Sequence, residues 1–512
     1  MHHRILARRA PAAVPPRIDD DPAVVSAFLS DAAHVPGGHA SGVTFPRTED
    51  EVAAAVAGAS RVLAVGAQSS LTGGATPRGD LVLSTRALTT IESQSGDRVR
   101  VGAGVPLADL QRALAASGLY YPPVPTFEGA FVGGTIATNA AGAATFKYGS
   151  TRAWVDALTV VLASGERLDV ARGDIVANEE GQLLIPRHDG TSLSVPVPSY
   201  VMPPVAKLSA GFFARPGMDL VDLFIGAEGT LGVIVSATLR VIPRPRRCLA
   251  LVRCAGDEQA IAVTGALRTE ARAAWRGEGP LDVAAIEYMD ARAISAIPDD
   301  AFARAGVARV PAGSVLLLLQ IETRDNGHAA LDSLAAVLEA HGVADDPRVA
   351  APGDDRAAGR LFDLREAVPA SVNALIAAAK GRVDPAIHKT AGDLIVPFDR
   401  LADSIELYRR AFTTRGLDHA IWGHVSDGNL HPNVIPRSLA DVRQGEDAIR
   451  EMARAVIAMG GAPLAEHGVG RSALKQELLR ELYGDEGIAQ MRAVKRALDP
   501  DWKLAAGVLF PV

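Results

Sequence analysis

At 512 residues the chain is too long for one ordinary core, so two or three domains are expected. Hydrophobic residues make up 48% and charged residues 22%, as in soluble globular proteins, and the formal net charge of −7 without any basic block argues against a nucleic-acid partner. The two cysteines, Cys248 and Cys254, match no metal or redox spacing, suit a reducing compartment and are too few for an iron–sulfur cluster within this chain, so both are expected to be buried.

The first ten residues are basic but lack an apolar stretch of signal-peptide length, and no later apolar run approaches a membrane span. A cytoplasmic protein without a transmembrane segment is therefore expected. Residues 1–40 read as an N-terminal segment with one short helix around 23–33. Thr48 reads as an N-cap with Glu51 three residues on, opening a helix that continues through Val52. Residues 61–65 read as a short buried strand. Helices and strands then mix to residue 245 without regular βαβ alternation, so the fold class expected is α+β, not a doubly wound sheet. Residues 171–204 are polar and proline-containing and read as a surface excursion. From 246 to 512 strand-like runs (249–254, 314–321, 392–396, 420–424, 431–435) alternate with alanine-rich helices (329–341, 401–414), consistent with a second α+β domain on an antiparallel sheet.

Two glycine-rich segments carry the first chemical signal. Val65-Gly-Ala-Gln-Ser-Ser-Leu-Thr-Gly-Gly-Ala75 leaves a strand and sets Gln68, Ser69, Ser70 and Thr72 beside Gly66, Gly73 and Gly74. Glycines let backbone N–H groups converge on an anion, and the hydroxyls add donors, which suits a pyrophosphate. The loop is neither a P-loop nor a GxGxxG fingerprint. The second segment comprises Pro122-Pro-Val-Pro-Thr-Phe-Glu128, then Val132-Gly-Gly-Thr-Ile-Ala-Thr-Asn-Ala-Ala-Gly142, then Lys147-Tyr-Gly-Ser150. Its small residues allow a flat ring system to lie against backbone, or simply a tightly packed helix start.

The C-terminal half carries Gly423-His-Val-Ser-Asp-Gly-Asn-Leu-His-Pro-Asn433. Asp-Gly is a strong two-residue hairpin turn. With Asp427 and Gly428 as the turn, His424 is expected directly opposite His431, with Cβ atoms about 4.5–5.5 Å apart and both imidazoles on one face. Two such histidines can chelate a divalent metal, and Glu466 in Glu466-His467-Gly468 is the best carboxylate to complete a set suited to Zn²⁺, Mn²⁺ or Fe²⁺.

Together with Asp222-Leu-Phe-Ile-Gly-Ala-Glu-Gly-Thr-Leu-Gly-Val-Ile234, the glycine-rich segments resemble the FAD-binding domain of the vanillyl-alcohol-oxidase/p-cresol-methylhydroxylase (PCMH-type) superfamily over about residues 41–245. The resemblance implies FAD with its pyrophosphate on 66–74, Leu71 and Thr72 included. It places the isoalloxazine and ribityl at Pro125, Thr126, Gly133, Gly134, Thr138, Asn139, Gly142 and Ser150, and the adenine side at Glu228, Gly232 and Ile234. Leu71 and Thr72 stand where covalent members place a histidine, so the FAD is expected to be noncovalent. Residues 246–512 resemble the C-terminal domain of FAD-linked oxidases of the glycolate-oxidase-subunit-D, D-lactate dehydrogenase and D-2-hydroxyglutarate dehydrogenase type, through Leu364-Arg-Glu366, the histidine hairpin, Ala465 to Gly470 and, more loosely, Lys389 with Asp393 to Pro397. That implies His424, His431 and Glu466 on a metal, zinc first, and His467 as catalytic base. It also implies Arg365 and Lys389 on the carboxylate of a small D-2-hydroxy acid, with hydride passing to flavin N5. Departures are Leu208 where relatives often show Asn, Pro369 where the hydroxyglutarate enzymes present a hydroxyl residue, and Ala505-Ala506 where relatives often read Asn-Pro. The electron acceptor (quinone, cytochrome or electron-transfer flavoprotein) and a homodimer are left open. An alkylglycerone-phosphate-synthase-like transferase needs a His-His-His cluster that this sequence lacks beyond His2 and His3, and a non-catalytic flavin-binding subunit would not need the complete His/His/Glu-His set.

Overall fold

The computed structural model describes residues 8–9, 14–93, 96–123, 125–187, 189–323 and 326–511; His2, His3 and Val124 lie outside them. Two α+β units share the chain, as the sequence leads one to expect.

The first unit is built on two sheets. A four-stranded sheet runs Ile18–Asp19, His39–Thr44, Arg78–Ser84, Val62–Val65, the last three mutually parallel. A six-stranded antiparallel sheet runs Arg8–Arg9, Glu166–Ala171, Val155–Val161, Val233–Arg240, Arg98–Gly102, Ile91–Ser93. Thr48 caps the helix Glu49–Gly58 as anticipated: its side chain accepts from the N–H of Glu51 at 3.1 Å. The early helix is shorter than expected, Pro22–Ser26, with Asp21 as its N-cap; past it Phe28 enters the first core, and the carbonyls of Phe28 and Ser30 accept from Gln68 instead of continuing the helix. The segment at 171–204, expected as a surface excursion, is partly buried. It contains a hairpin, Gln182–Pro186 with Ser192–Pro196, whose Leu183, Ile185 and Val195 are fully buried.

The second unit is an eight-stranded antiparallel sheet with helices on both faces. That arrangement accounts for the run Val315–Thr323. Leu317, Leu319 and Ile321 enter one core with the helices Asp257–Trp275, His328–Ala340 and Leu401–Thr413, while Leu316 and Leu318 enter another with Asp355–Arg382. A strand covered on both sides reads as continuously apolar, not alternating. Cys248 and Cys254 are buried and unpaired.

The chain then returns to the first unit. Leu478, Met491 and Val494 of the helix Ala473–Leu498, together with Leu509 and Phe510, belong to the first core, and the Val62 N–H donates to the Lys503 carbonyl. At the seam, Gly470 (φ +58°) lies so close to Thr72 that an added Cβ would stand 2.2 Å from its Oγ1. This position therefore needs glycine for both conformation and space. Among the described residues, no helix is long and apolar enough to cross a membrane.

Candidate active site

One cavity of about 320 Å³ runs between the two units. The loop at 66–74, residues 125–126, the helix Val132–Ala137 and the segment 227–234 form most of its wall, and His424, Glu466 and His467 close one end. Of the residues expected to meet FAD, all line it except Thr72, Gly73, Asn139, Gly142 and Ser150. Thr72 packs under Gly470, and Asn139 donates to the Leu208 carbonyl at 3.2 Å while accepting from the N–H of Arg152 at 3.0 Å.

The walls fit a dinucleotide flavin on two grounds. The consecutive backbone N–H groups of Ala67, Gln68, Ser69, Ser70 and Leu71 find no acceptor among the described residues. Backbone donors are rarely left unpaired, and a row of them facing a cavity is an anion cradle. Over Gly134, a Cβ would meet nothing within 4 Å, so the backbone there is open to a flat ring. The side chain of Gln68 is engaged elsewhere, donating to the carbonyls of Phe28 and Ser30. Glu228, expected on the adenine side, lines the cavity and accepts the N–H groups of Val469 at 2.7 Å and Gly470 at 2.8 Å. Its desolvation outweighs those two donors and lifts its pKa to about 7.

The histidine hairpin differs in register from expectation. His424 pairs with Asn429 and Trp422 with His431, and residues 425–428 form a four-residue connection with a short helical turn, Val425–Asp427. The two-residue Asp-Gly turn does not form because Asp427 is drawn inward to Lys207, at 3.2 Å. His424 and His431 are thus diagonal neighbours on one face, with ring centroids 5.7 Å apart. An offset of two residues keeps the face. Gly423, at φ +148°, makes the bend possible, since a Cβ there would lie 2.6 Å from the Asn429 carbonyl oxygen.

Three imidazoles converge on one oxygen. The Nε2 atoms of His424, His431 and His467 lie 3.4, 3.1 and 3.5 Å from Glu466 Oε1. Carboxylates hold the other ring nitrogens of two of them: Glu287 Oε1 is 2.9 Å from His424 Nδ1, and Asp393 Oδ2 is 3.1 Å from His467 Nδ1. His431 Nδ1 is 3.6 Å from Asp393 Oδ1 and has no hydrogen-bond partner. A carboxylate at Nδ1 fixes the proton there and turns the Nε2 lone pair toward the centre. Lone pairs facing a carboxylate oxygen repel unless a cation lies among them. A proton serves in part: burial disfavours the His424 imidazolium, but Glu287 overcomes this and raises its pKa to about 9. Burial outweighs Glu466 and lowers that of His431 to about 4, so its ring is neutral.

Ligand-capable atoms of Asp393, His431, Glu466 and His467 lie within 4.8 Å of one another. Asp393 is the weakest ligand of that group, because its Oδ2 already accepts the N–H groups of Glu466 at 3.0 Å and His467 at 2.9 Å. His424 lies outside that group, although its Nε2 also faces Glu466 Oε1; His424, Glu466 and His467 line the cavity, and the His467 side chain is 31% exposed.

Arg365 does not line the cavity. Its guanidinium is committed to Glu287 at 2.9 Å and Glu366 at 2.6 Å. Lys389 does not line the cavity either; it is exposed and makes no ion pair or hydrogen bond among the described residues. The residues that sequence reasoning did not single out for the site are Glu287, Lys207 and Asp393. Each is a charged side chain inside a segment that otherwise reads as core or turn, and only the sheet pairing of Asp282–Met289 with His419–His424 brings Glu287 to His424.

Residues 40–171 match the FAD binding domain family, and residues 263–509 match the family of FAD linked oxidases, C-terminal domain. The chain is 30% identical to D-2-hydroxyglutarate dehydrogenase of Xanthomonas citri pv. viticola, over 91% of this chain and 89% of that one. It is 27% identical to glycolate oxidase subunit GlcD of Bacillus subtilis, over 97% and 94%, and 27% identical to D-lactate dehydrogenase of Archaeoglobus fulgidus, over 90% and 88%. Among solved structures, an alkyldihydroxyacetonephosphate synthase superposes with a TM-score of 0.61 at 13% identity, over 98% of this chain and 89% of that one, a likeness of fold alone. With its cavity, free N–H cradle and both domain matches, the chain belongs to the FAD-linked oxidases and is an oxidoreductase.

Proposed function

We propose that the protein oxidises a small D-2-hydroxy acid, lactate- or glycolate-like, to the 2-oxo acid, using noncovalent FAD and one divalent metal, zinc by preference. The observation that carries this reading is that His424, Glu466 and His467 line the same cavity as the anion cradle and the flat glycine wall, with His431 Nε2 behind them, 3.1 Å from Glu466 Oε1. The relatives named above act on hydroxy acids of this class by their names.

When bound, FAD supplies the acceptor for the hydride leaving Cα, and a divalent cation supplies Lewis acidity at the substrate hydroxyl. The protein's own groups divide the remaining work. His424, His431 and Glu466 hold the metal. His467 takes the hydroxyl proton on Nε2, its Nδ1 held by Asp393 so that the accepting lone pair faces the cavity. Lys389 meets the substrate carboxylate. Arg365, spent on Glu287, acts through it to orient His424 instead of clamping substrate directly. Proton and hydride both leave the alcohol, so the oxidation balances once the flavin is reduced.

The test is anaerobic bleaching of the bound flavin by a panel of D- and L-hydroxy acids. Bleaching by a short D-acid and not by its L enantiomer is expected; no bleaching by any member of the panel contradicts the reading.

A further inference from the structure

Lys207 belongs to the first unit, yet its side chain is fully buried at the metal cluster of the second. Its Nζ lies 2.8 Å from Glu466 Oε2 and 3.2 Å from Asp427 Oδ2. The next two residues tie the same segment in both directions. The Leu208 carbonyl accepts from Asn139 Nδ2 at 3.2 Å, and Ser209 Oγ donates to the Thr138 carbonyl at 2.9 Å. The Ser209 N–H donates to the Leu464 carbonyl at 3.2 Å. Residues 207–209 therefore join Asn139 and the cavity-lining Thr138 to the loop that carries Glu466.

A carboxylate can offer one oxygen or two to a metal. Here Lys207 occupies Oε2, and the three histidine nitrogens face Oε1. We propose that Lys207 is a positioning residue that holds Glu466 as a one-oxygen metal ligand and fixes its loop in register with the flavin wall. This rests on the metal reading of the site given above. A buried ammonium between two carboxylates cannot be removed alone without leaving unpaired buried charge. The pair Lys207→Met with Asp427→Asn removes one charge of each sign, so the net charge around the metal is kept and any change reports on positioning.

The experiment measures zinc affinity by chelator competition, and the absorption spectrum of the cobalt-substituted protein, in wild type and in this double variant, both with FAD content verified. Outer-shell partners of metal ligands are typically worth about 10–100-fold in metal affinity. The inference predicts a loss in that range with FAD retained, and a changed cobalt spectrum as Glu466 becomes free to offer both oxygens. Equal affinity and an unchanged cobalt spectrum overturn it. A second background guards against a folding defect. In Glu466→Gln, Lys207 is expected to keep the amide oxygen for itself and turn the NH2 group toward the histidines, abolishing metal binding. Adding Lys207→Met and Asp427→Asn to Glu466→Gln frees that oxygen and should restore part of the binding. A sign reversal of this kind does not arise from mere destabilisation, and no recovery counts against Lys207. Wild type that binds no metal at all overturns the metal reading, and this inference with it.

Discussion

Glu228 gives a pH dependence whose size follows from its surroundings. It is a partly buried carboxyl at the seam of the two units, with its pKa raised to about 7 from an ordinary 4.5 by desolvation. A carboxyl whose folded pKa is raised contributes stability that is complete below its unfolded pKa and is lost as pH rises through the folded one. The window is thus from about pH 4.5 to just above 7. At about 1.36 kcal/mol per pKa unit the loss across it comes to about 3 kcal/mol. Glu228→Gln carries no charge at any pH and gives up one of the two hydrogen bonds from Val469 and Gly470. Relative to the variant, wild type should be the more stable at pH 5 and should lose that advantage, or fall behind, by pH 8. The assay is chemical unfolding of wild type and variant across this range, read as the difference between them so that other titrating groups cancel. A difference independent of pH would refute the claim that the fold raises the pKa of Glu228.

His431→Ala should lose the metal while keeping FAD. Losing a polarising cation costs several kcal/mol at the transition state, so flavin reduction by substrate should slow by roughly two orders of magnitude or more; unchanged reduction with metal retained would remove His431 from the ligand set. Lys389→Ala should raise KM for the hydroxy acid about tenfold, from the loss of one charge-assisted contact of about 1.5 kcal/mol, with FAD content unchanged; an unaltered KM would place the carboxylate elsewhere. Acid precipitation should release the flavin into the supernatant, since neither Leu71 nor Thr72 in the loop can tether it; yellow colour remaining with the precipitate would contradict noncovalent binding.

Local signals in the sequence carried a good part of this architecture. The cap at Thr48 and the runs that became Arg246–Cys254, Val315–Thr323 and Leu401–Thr413 are visible because each rests on neighbours within a few residues. The histidine hairpin shows the limit. The shared face of His424 and His431 was legible, but the register was not, because Asp427 is pulled inward by a lysine far earlier in the chain. Glu287, Lys207 and Asp393 were hidden for the same reason. A charged residue in a strand reads as half-exposed until its partner, brought by sheet order or by the loop at 207–209, is in place. The return of the helix Ala473–Leu498 to the first core likewise has no local signature, since its apolar positions suit either unit equally. Arg365 was legible as a functional arginine, but not that Glu287 and Glu366 claim its guanidinium.

The central claim is that one cavity holds both a flavin and a hydroxyl-activating metal against the same substrate. Its most direct test is the rate of anaerobic flavin reduction by D-lactate and by glycolate in FAD-replete protein, measured as isolated, after chelation, and after stoichiometric Zn²⁺ is restored. The account predicts rapid bleaching, then a fall of roughly two orders of magnitude or more with the oxidised flavin still bound, then recovery. Bleaching that is equally fast after the metal has been stripped would show that His467 and the flavin act without it, and would contradict the account.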